Sequence, residues 1–166
     1  MLIIFGGLPG TGKTIIAREL ARQLDAVYLR IDSIEQAIRD SGVTEEDLYD
    51  AGYRVGYAVA EDNLRLGQTV VADSVNPIAL SRDAWVAVAR RAQVPAFEIE
   101  VQCSDVDEHR GRIETRAGDV PGLRLPTWQE VLTRDYRPWE REHLVIDTAQ
   151  QSIEHSLKVI LELLRR

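Results

Sequence analysis

GLPGTGKT, Gly7 to Thr14, limits the fold of this 166-residue chain more than any other stretch. It satisfies G-x-x-x-x-G-K-[ST] and stands between an apolar run, MLIIFG, and the helical pattern IIARELARQL. A loop of that composition in that setting joins a buried strand to the start of a helix. Its glycines let successive backbone N–H groups turn inward around a polyphosphate, with Leu8, Pro9 and Thr11 filling the variable positions. Lys13 then brings a point charge to the β and γ oxygens, and Thr14 a hydroxyl for Mg²⁺. The whole loop, Gly7, Leu8, Pro9, Gly10, Thr11, Gly12, Lys13 and Thr14, is expected to bind ATP.

The rest of the chain repeats the same strand-then-helix alternation. Apolar and β-branched runs at residues 1–6, 26–31, 68–73, 96–102 and 144–147 read as five strands, and helical patterns fill the intervals. That order predicts an α/β architecture of three layers, with helices on both faces of a five-stranded parallel sheet. One long helix is expected over 44–67, where Tyr49, Tyr53 and Tyr57 recur every four residues and share a face. Such a stripe packs a helix onto its body, with a substrate wall as the alternative. A last helix is expected near 151–165. No linker or repeat interrupts the chain, so residues 1–166 are read as one domain.

Ligands of such sheets sit beyond the carboxyl ends of the strands. Two acids stand at those ends, Asp32 after the second strand and Asp73 after QTVVA. Asp32 with Glu35, or Ser33 with Gln36, fits a helix capping box. If Ser33 caps, Asp32 is free to face the crevice and hold an acceptor hydroxyl. Asp73 precedes Ser74, Asn76 and Pro77, which suits a turn, yet a metal beside Thr14 needs an anionic neighbour. Asp73 is therefore assigned, with Thr14, to Mg²⁺.

Composition excludes several classes. A single cysteine, Cys103, rules out an internal disulfide framework and suits a cytoplasmic protein. His109, His143 and His155 lack metal-ligand spacing. The opening apolar run is too short to cross a bilayer, so no membrane partner is expected. A net charge of −7 opposes a broad grip on nucleic acid. Residues 104–141 differ from the rest in interleaving arginines with acids around AGDVPGLRLP, the pattern of a solvated helix pair or of a mobile lid.

Taken together, these segments resemble the P-loop kinases that include the kinase domain of phage polynucleotide kinase, chloramphenicol phosphotransferase and the zeta toxins. IDSIEQAI resembles their acceptor-aspartate segment, VVADSVNPIALSRDAW the segment with a strand-end aspartate and Asn-Pro, and HRGRIETRAGD their arginine-bearing lid. The resemblance implies a kinase-type P-loop fold with a lid at about residues 104–126, in which Arg112 and Arg116, one helical turn apart, reach the transferred phosphate. It also implies that Asp32 engages the acceptor hydroxyl. In LVIDTAQQSIEHSLKVI it sets Asp147 and Thr148 in a loop near the adenine. One departure concerns the acceptor: polynucleotide kinases of this kind carry an arginine three residues after the acceptor aspartate, where this chain has Glu35.

The expected activity is transfer of the γ-phosphoryl group of ATP to a hydroxyl of a small molecule, uncharged or cationic, such as an antibiotic or metabolite. A 5′-hydroxyl polynucleotide kinase is the less favoured alternative. A third is a regulatory ATP-binding module that phosphorylates no acceptor, and a nucleoside monophosphate kinase is a further alternative. Sequence gives no expectation of oligomeric state.

Overall fold

The computed structural model describes residues 1–42 and 48–165. Five strands, β1 (Leu2–Gly6), β2 (Val27–Arg30), β3 (Val70–Asp73), β4 (Ala96–Gln102) and β5 (Leu144–Asp147), form one sheet in the order β2-β3-β1-β4-β5. Every pairing is parallel. The helices are α1 (Lys13–Gln23), α2 (Ile31–Asp40), α3 (Ala51–Arg65), α4 (Ala79–Arg91), α5 (Val106–Thr115), α6 (Trp128–Leu132) and α7 (Ile153–Leu164). This is the three-layer architecture expected from the alternation of strands and helices, in the P-loop kinase form that the resemblance implied.

β1 shows why a continuous apolar run marks the centre of such a sheet. Side chains alternate across a strand, so a strand covered on both faces must be apolar at every position. Ile3 and Phe5 face Ile16 and Leu20 of α1 and Ile160 of α7. Leu2 and Ile4 face Ala60 and Leu64 of α3 and Trp85 and Val88 of α4. All four β1 side chains are fully buried. Each such burial stabilises the fold by roughly 1.5–3 kcal/mol.

Two boundaries differ from those expected. The helix foreseen over 44–67 begins at Ala51, and residues 44–47 lie outside the described residues. Tyr49 precedes that start, has a positive φ of 45° and is 86% exposed, so it does not join the tyrosine stripe. Tyr53 and Tyr57 do pack inward, with Tyr57 edge-on to Trp85 at 4.6 Å between ring centroids. The second difference is at α2, which follows β2 with no intervening loop. Its N-cap is Arg30 in an extended conformation with no side-chain cap, so neither the Asp32 nor the Ser33 capping box forms. Among the described residues no helix is long and apolar enough to cross a membrane.

Candidate active site

The phosphate loop is held open by contacts made before any ligand arrives. Gly12 is the N-cap of α1 in the left-handed region, φ 89°, with no side-chain cap, which leaves the first amides of the helix free to meet an anion. Gly7 is required for space as well as conformation. At its φ of 136° a β-carbon would stand 2.1 Å from the carbonyl oxygen of Val101. The loop is clamped from three sides. Gly7 N donates to Val75 O at 3.0 Å, and Asn76 Nδ2 to Phe5 O at 2.8 Å. His109 places Nε2 2.8 Å from Pro9 O, and Thr148 Oγ1 donates to Thr11 O at 2.8 Å. Such pre-positioning lowers the ordering cost of holding a ligand.

Strand register then sets a row of groups at the carboxyl edge of the sheet. Arg30 of β2 lies level with Asp73 of β3, which lies level with Phe5 of β1. In parallel strands neighbours in register share a face, here the face that carries α1. Asp73, 2% exposed, pairs with Lys13 through Oδ1 at 3.2 Å and accepts from Tyr28 Oη at 2.7 Å on Oδ2. Burial pushes its carboxyl up, but the Lys13 ammonium and the hydroxyls of Tyr28 and Thr14 more than offset this, so it stays below the ordinary range and ionised. Burial, with Asp73 beside it, pushes the Tyr28 phenol far up, which keeps Tyr28 a donor.

These groups suit a Mg²⁺ ion. Asp73 Oδ1 is buried and, apart from its ion pair, makes no hydrogen bond of good geometry, while the Thr14 hydroxyl lies beside the same carboxylate. One carboxylate, one hydroxyl and space for phosphate oxygens and water is the donor set Mg²⁺ takes in phosphate sites.

A cleft of about 1140 Å³ opens above this row. The phosphate-loop residues Leu8, Pro9, Gly10, Gly12, Lys13 and Thr14 form its floor. The floor meets α2, where Asp32 stands in the first turn. The Asp32 carboxylate is partly exposed to the cleft and lies 3.7 Å from Arg30 Nη2. Glu35, one turn on, packs against Gly52, where a β-carbon would come within 2.3 Å of its Cγ. Burial, and then Asp32, raise the Glu35 carboxyl above its ordinary value. Tyr53 closes this side; its hydroxyl accepts from Asn76 N at 3.1 Å, and burial pushes its phenol up to about 12.

The remaining wall comes from α5 and the irregular chain after it. Arg112 stands beside the loop, with Nη1 3.9 Å from where a β-carbon on Gly12 would lie. It is held by Glu108 and by both the hydroxyl and the carbonyl of Thr148. Arg116 is the C-cap of α5 in an extended conformation, so the helical turn that would align it with Arg112 ends one residue before it. It still lines the cleft. Thr148 links Arg112 to the phosphate loop, and Asp147 accepts from the amides of Ser104 and Ala149 at 3.0 Å. Cys103 is buried, and burial pushes its thiol up.

Arg18, Arg30, Asp119 and His109 escaped the sequence reading as contributors to the cleft. Arg30 reads there as the end of an apolar strand, yet it is 6% exposed and lines the cleft. Asp119, in the loop after α5, receives Arg18 Nη2 at 2.7 Å and Arg30 Nη1 at 2.8 Å on one oxygen, Oδ2. No local pattern joins residues 89 and 101 positions apart. His109, which the sequence shows only as a histidine without metal-ligand spacing, props the phosphate loop.

Comparison with known proteins places the chain by family and by fold. The family described as an AAA domain matches residues 2–134, so the chain belongs to that family. A protein of Aeropyrum pernix named a probable adenylyl-sulfate kinase is 28% identical over 171 residues, covering 96% of this chain and 89% of its own. The adenylyl-sulfate kinase of a Synechococcus strain is 28% identical over 173 residues, covering 97% and 92%. In fold, the chain is similar to the Mycobacterium tuberculosis APS kinase CysC solved with AMPPNP and APS. The TM-score is 0.74 at 20% identity, over 99% of this chain and 97% of that one.

Proposed function

We propose that this member of the AAA domain family is an ATP-dependent kinase that moves the γ-phosphoryl group of ATP to a hydroxyl of a small molecule. The observation that carries the reading is the meeting at one cleft of a clamped phosphate loop, the Lys13–Asp73 pair and the Asp32 carboxylate. Full-length similarity to two adenylyl-sulfate kinases supports the reaction class. The acceptor-aspartate resemblance of IDSIEQAI supports the role of Asp32. The chain works as one domain, with residues 104–126 as the lid.

Phosphoryl transfer proceeds through a loose transition state, so catalysis is chiefly positioning and charge neutralisation. Gly10 to Thr14 hold the phosphates with backbone amides, and Lys13 sets its ammonium against the β and γ oxygens. Thr14 and Asp73 would hold Mg²⁺, which supplies further neutralisation of phosphate charge. Arg112 and Arg116 serve the γ-phosphoryl group from the lid side, and Thr148 ties Arg112 to the loop beneath it. Asp32 accepts a hydrogen bond from the acceptor hydroxyl and aims its oxygen at phosphorus. A carboxylate is a weak base for an alcohol, so it takes the proton late.

The test is incubation with γ-labelled ATP and a panel of metabolites, antibiotics, nucleosides and oligonucleotides. Label on a small-molecule hydroxyl is the expected result. Label confined to oligonucleotide 5′ ends would favour a polynucleotide kinase, and label on nothing would contradict the reading.

A further inference from the structure

Arg18 and Arg30 both give a hydrogen bond to one oxygen of Asp119, whose carboxyl those two contacts hold far below the ordinary range despite partial burial. The two arginines differ in setting. Arg18 is largely exposed on α1, whereas Arg30 is buried at the end of β2. The Arg30 guanidinium is also under-used. Its Nη1 reaches Asp119 and its Nη2 lies 3.7 Å from Asp32, but Nε is buried with no hydrogen-bond partner. A buried cation with an unsatisfied donor is costly unless a ligand completes it.

The charge of the cleft points the same way. In a chain of net charge −7, its described wall carries eight lysine and arginine side chains against three acids. Lys13, Arg112 and Arg116 suffice for a triphosphate, and Arg39 and Arg124 are paired with Glu35 and Glu130, which leaves Arg134 and the two arginines that share Asp119. One carboxylate oxygen shared by two guanidiniums also makes poor use of groups suited to paired hydrogen bonds. A tetrahedral oxyanion offers each guanidinium an oxygen of its own.

We infer that Arg18 and Arg30 form the binding site for a tetrahedral oxyanion, phosphate or sulfate, carried by the acceptor, and that Asp119 occupies this site as a stand-in until the acceptor displaces it. The inference rests on the phosphotransfer reading for the word acceptor, and it deepens that reading. It also departs from the uncharged or cationic acceptor that Glu35 suggested. Glu35 is turned onto Gly52, while Arg30 presents Nη2 to the hydroxyl-orienting Asp32 and Nη1 to the oxyanion site. The acceptor is thus an alcohol whose hydroxyl and oxyanion bracket one guanidinium. Because Asp119 lies in the lid loop, docking the oxyanion frees that loop from α1 and β2. A tethered competitor lowers apparent affinity by the fraction of molecules in which the site is free.

The test saturates the phosphate loop with Mg·AMPPNP, so that no nucleotide phosphate position is open, and titrates inorganic phosphate, sulfate and acetate calorimetrically. Phosphate or sulfate should bind the native chain, and Asp119→Asn should bind about tenfold more tightly or better. Acetate should bind neither appreciably, and Arg30→Gln should lose the oxyanion. Hydrogen exchange in residues 116–127 should quicken when the native chain binds it. Asp119→Asn changes an exposed position and keeps the test valid if Arg30→Gln fails to fold. Equal affinity of the native chain and Asp119→Asn, or no oxyanion binding by either, would overturn the inference, as would acetate binding as well as phosphate. Failure here is separable from failure of phosphotransfer. Tighter oxyanion binding by Asp119→Asn with no acceptor labelled would leave the site and remove the kinase. A labelled acceptor without an anionic group, transferred to equally by Arg30→Gln, would do the reverse.

Discussion

Two irregular segments flank the cleft and, apart from the ion pairs of Arg141 with Asp83 and Glu98 at the end of one, they are tied down in opposite ways. The strap at residues 133–143 is fastened by Arg82, 3% exposed, which donates to the carbonyls of Asn76, Pro77, Arg137 and Pro138 at 2.6–3.1 Å. Its guanidinium lies 4.5 Å from the Trp139 ring centroid and 5.3 Å from that of Tyr136. The lid loop at 116–127 is fastened by the Asp119 carboxylate to Arg18 and Arg30, and by Gly122 resting on Gln36. Backbone carbonyls cannot titrate and buried donors are not screened, so the strap stays put. Ion pairs with one exposed partner are worth little and yield to salt or to a better anion. On the proposed function the lid loop admits the substrate, and it uses the second kind of fastening. A segment that must hold the floor steady uses the first, since Trp139 of the strap abuts Gly6, immediately before the phosphate loop.

Breaking the strap should have the largest effect on stability. Arg82→Met strands several buried carbonyls and should cost about 3 kcal/mol or more, read from chemical denaturation. Gly6→Ala attacks the same contact from the other side. A β-carbon there would stand 2.5 Å from Trp139 Cζ2, so a loss of roughly 1–3 kcal/mol is expected in the same measurement. A rise from about 0.05 to about 0.5 M NaCl should sharpen the contrast. Hydrogen exchange should quicken by about two- to fivefold in 116–127 and stay unchanged in 136–139, the part of the strap that Arg82 holds.

The smallest effect concerns Glu35, under the lid side of the cleft. Its folded carboxyl is raised by burial and by Asp32, so its ionisation opposes folding. Glu35→Gln should therefore be slightly more stable than the native chain at neutral pH, by about 0.5 kcal/mol or less. That advantage should disappear as pH falls through the raised value to the ordinary carboxyl range. Melting temperatures across pH give the check.

The strap and the lid loop also mark where the sequence stops being readable. Five strands and the phosphate loop were legible because each is a local pattern: an apolar run covered on both faces, or glycines at fixed offsets before a helix. Asp32 and Asp73 were legible as strand-end acids because parallel strands bring their carboxyl ends to one edge. Arg82 was not, because its partners are carbonyls, which every residue has and no sequence displays. Arg30 and Asp119 were not, because their meeting depends on the path of a loop 89 residues away. Tyr49 misled because a four-residue spacing continues past the true helix start, and periodicity alone does not mark where a helix begins.

The proposed transfer depends on Asp32 acting on the acceptor and not on the nucleotide. The most direct measurement is the rate of γ-phosphoryl transfer by Asp32→Asn, with MgATP affinity measured on the same preparation. Transfer should fall about 10²–10⁴-fold while MgATP binds as tightly as to the native chain. Transfer at the native rate would contradict the account.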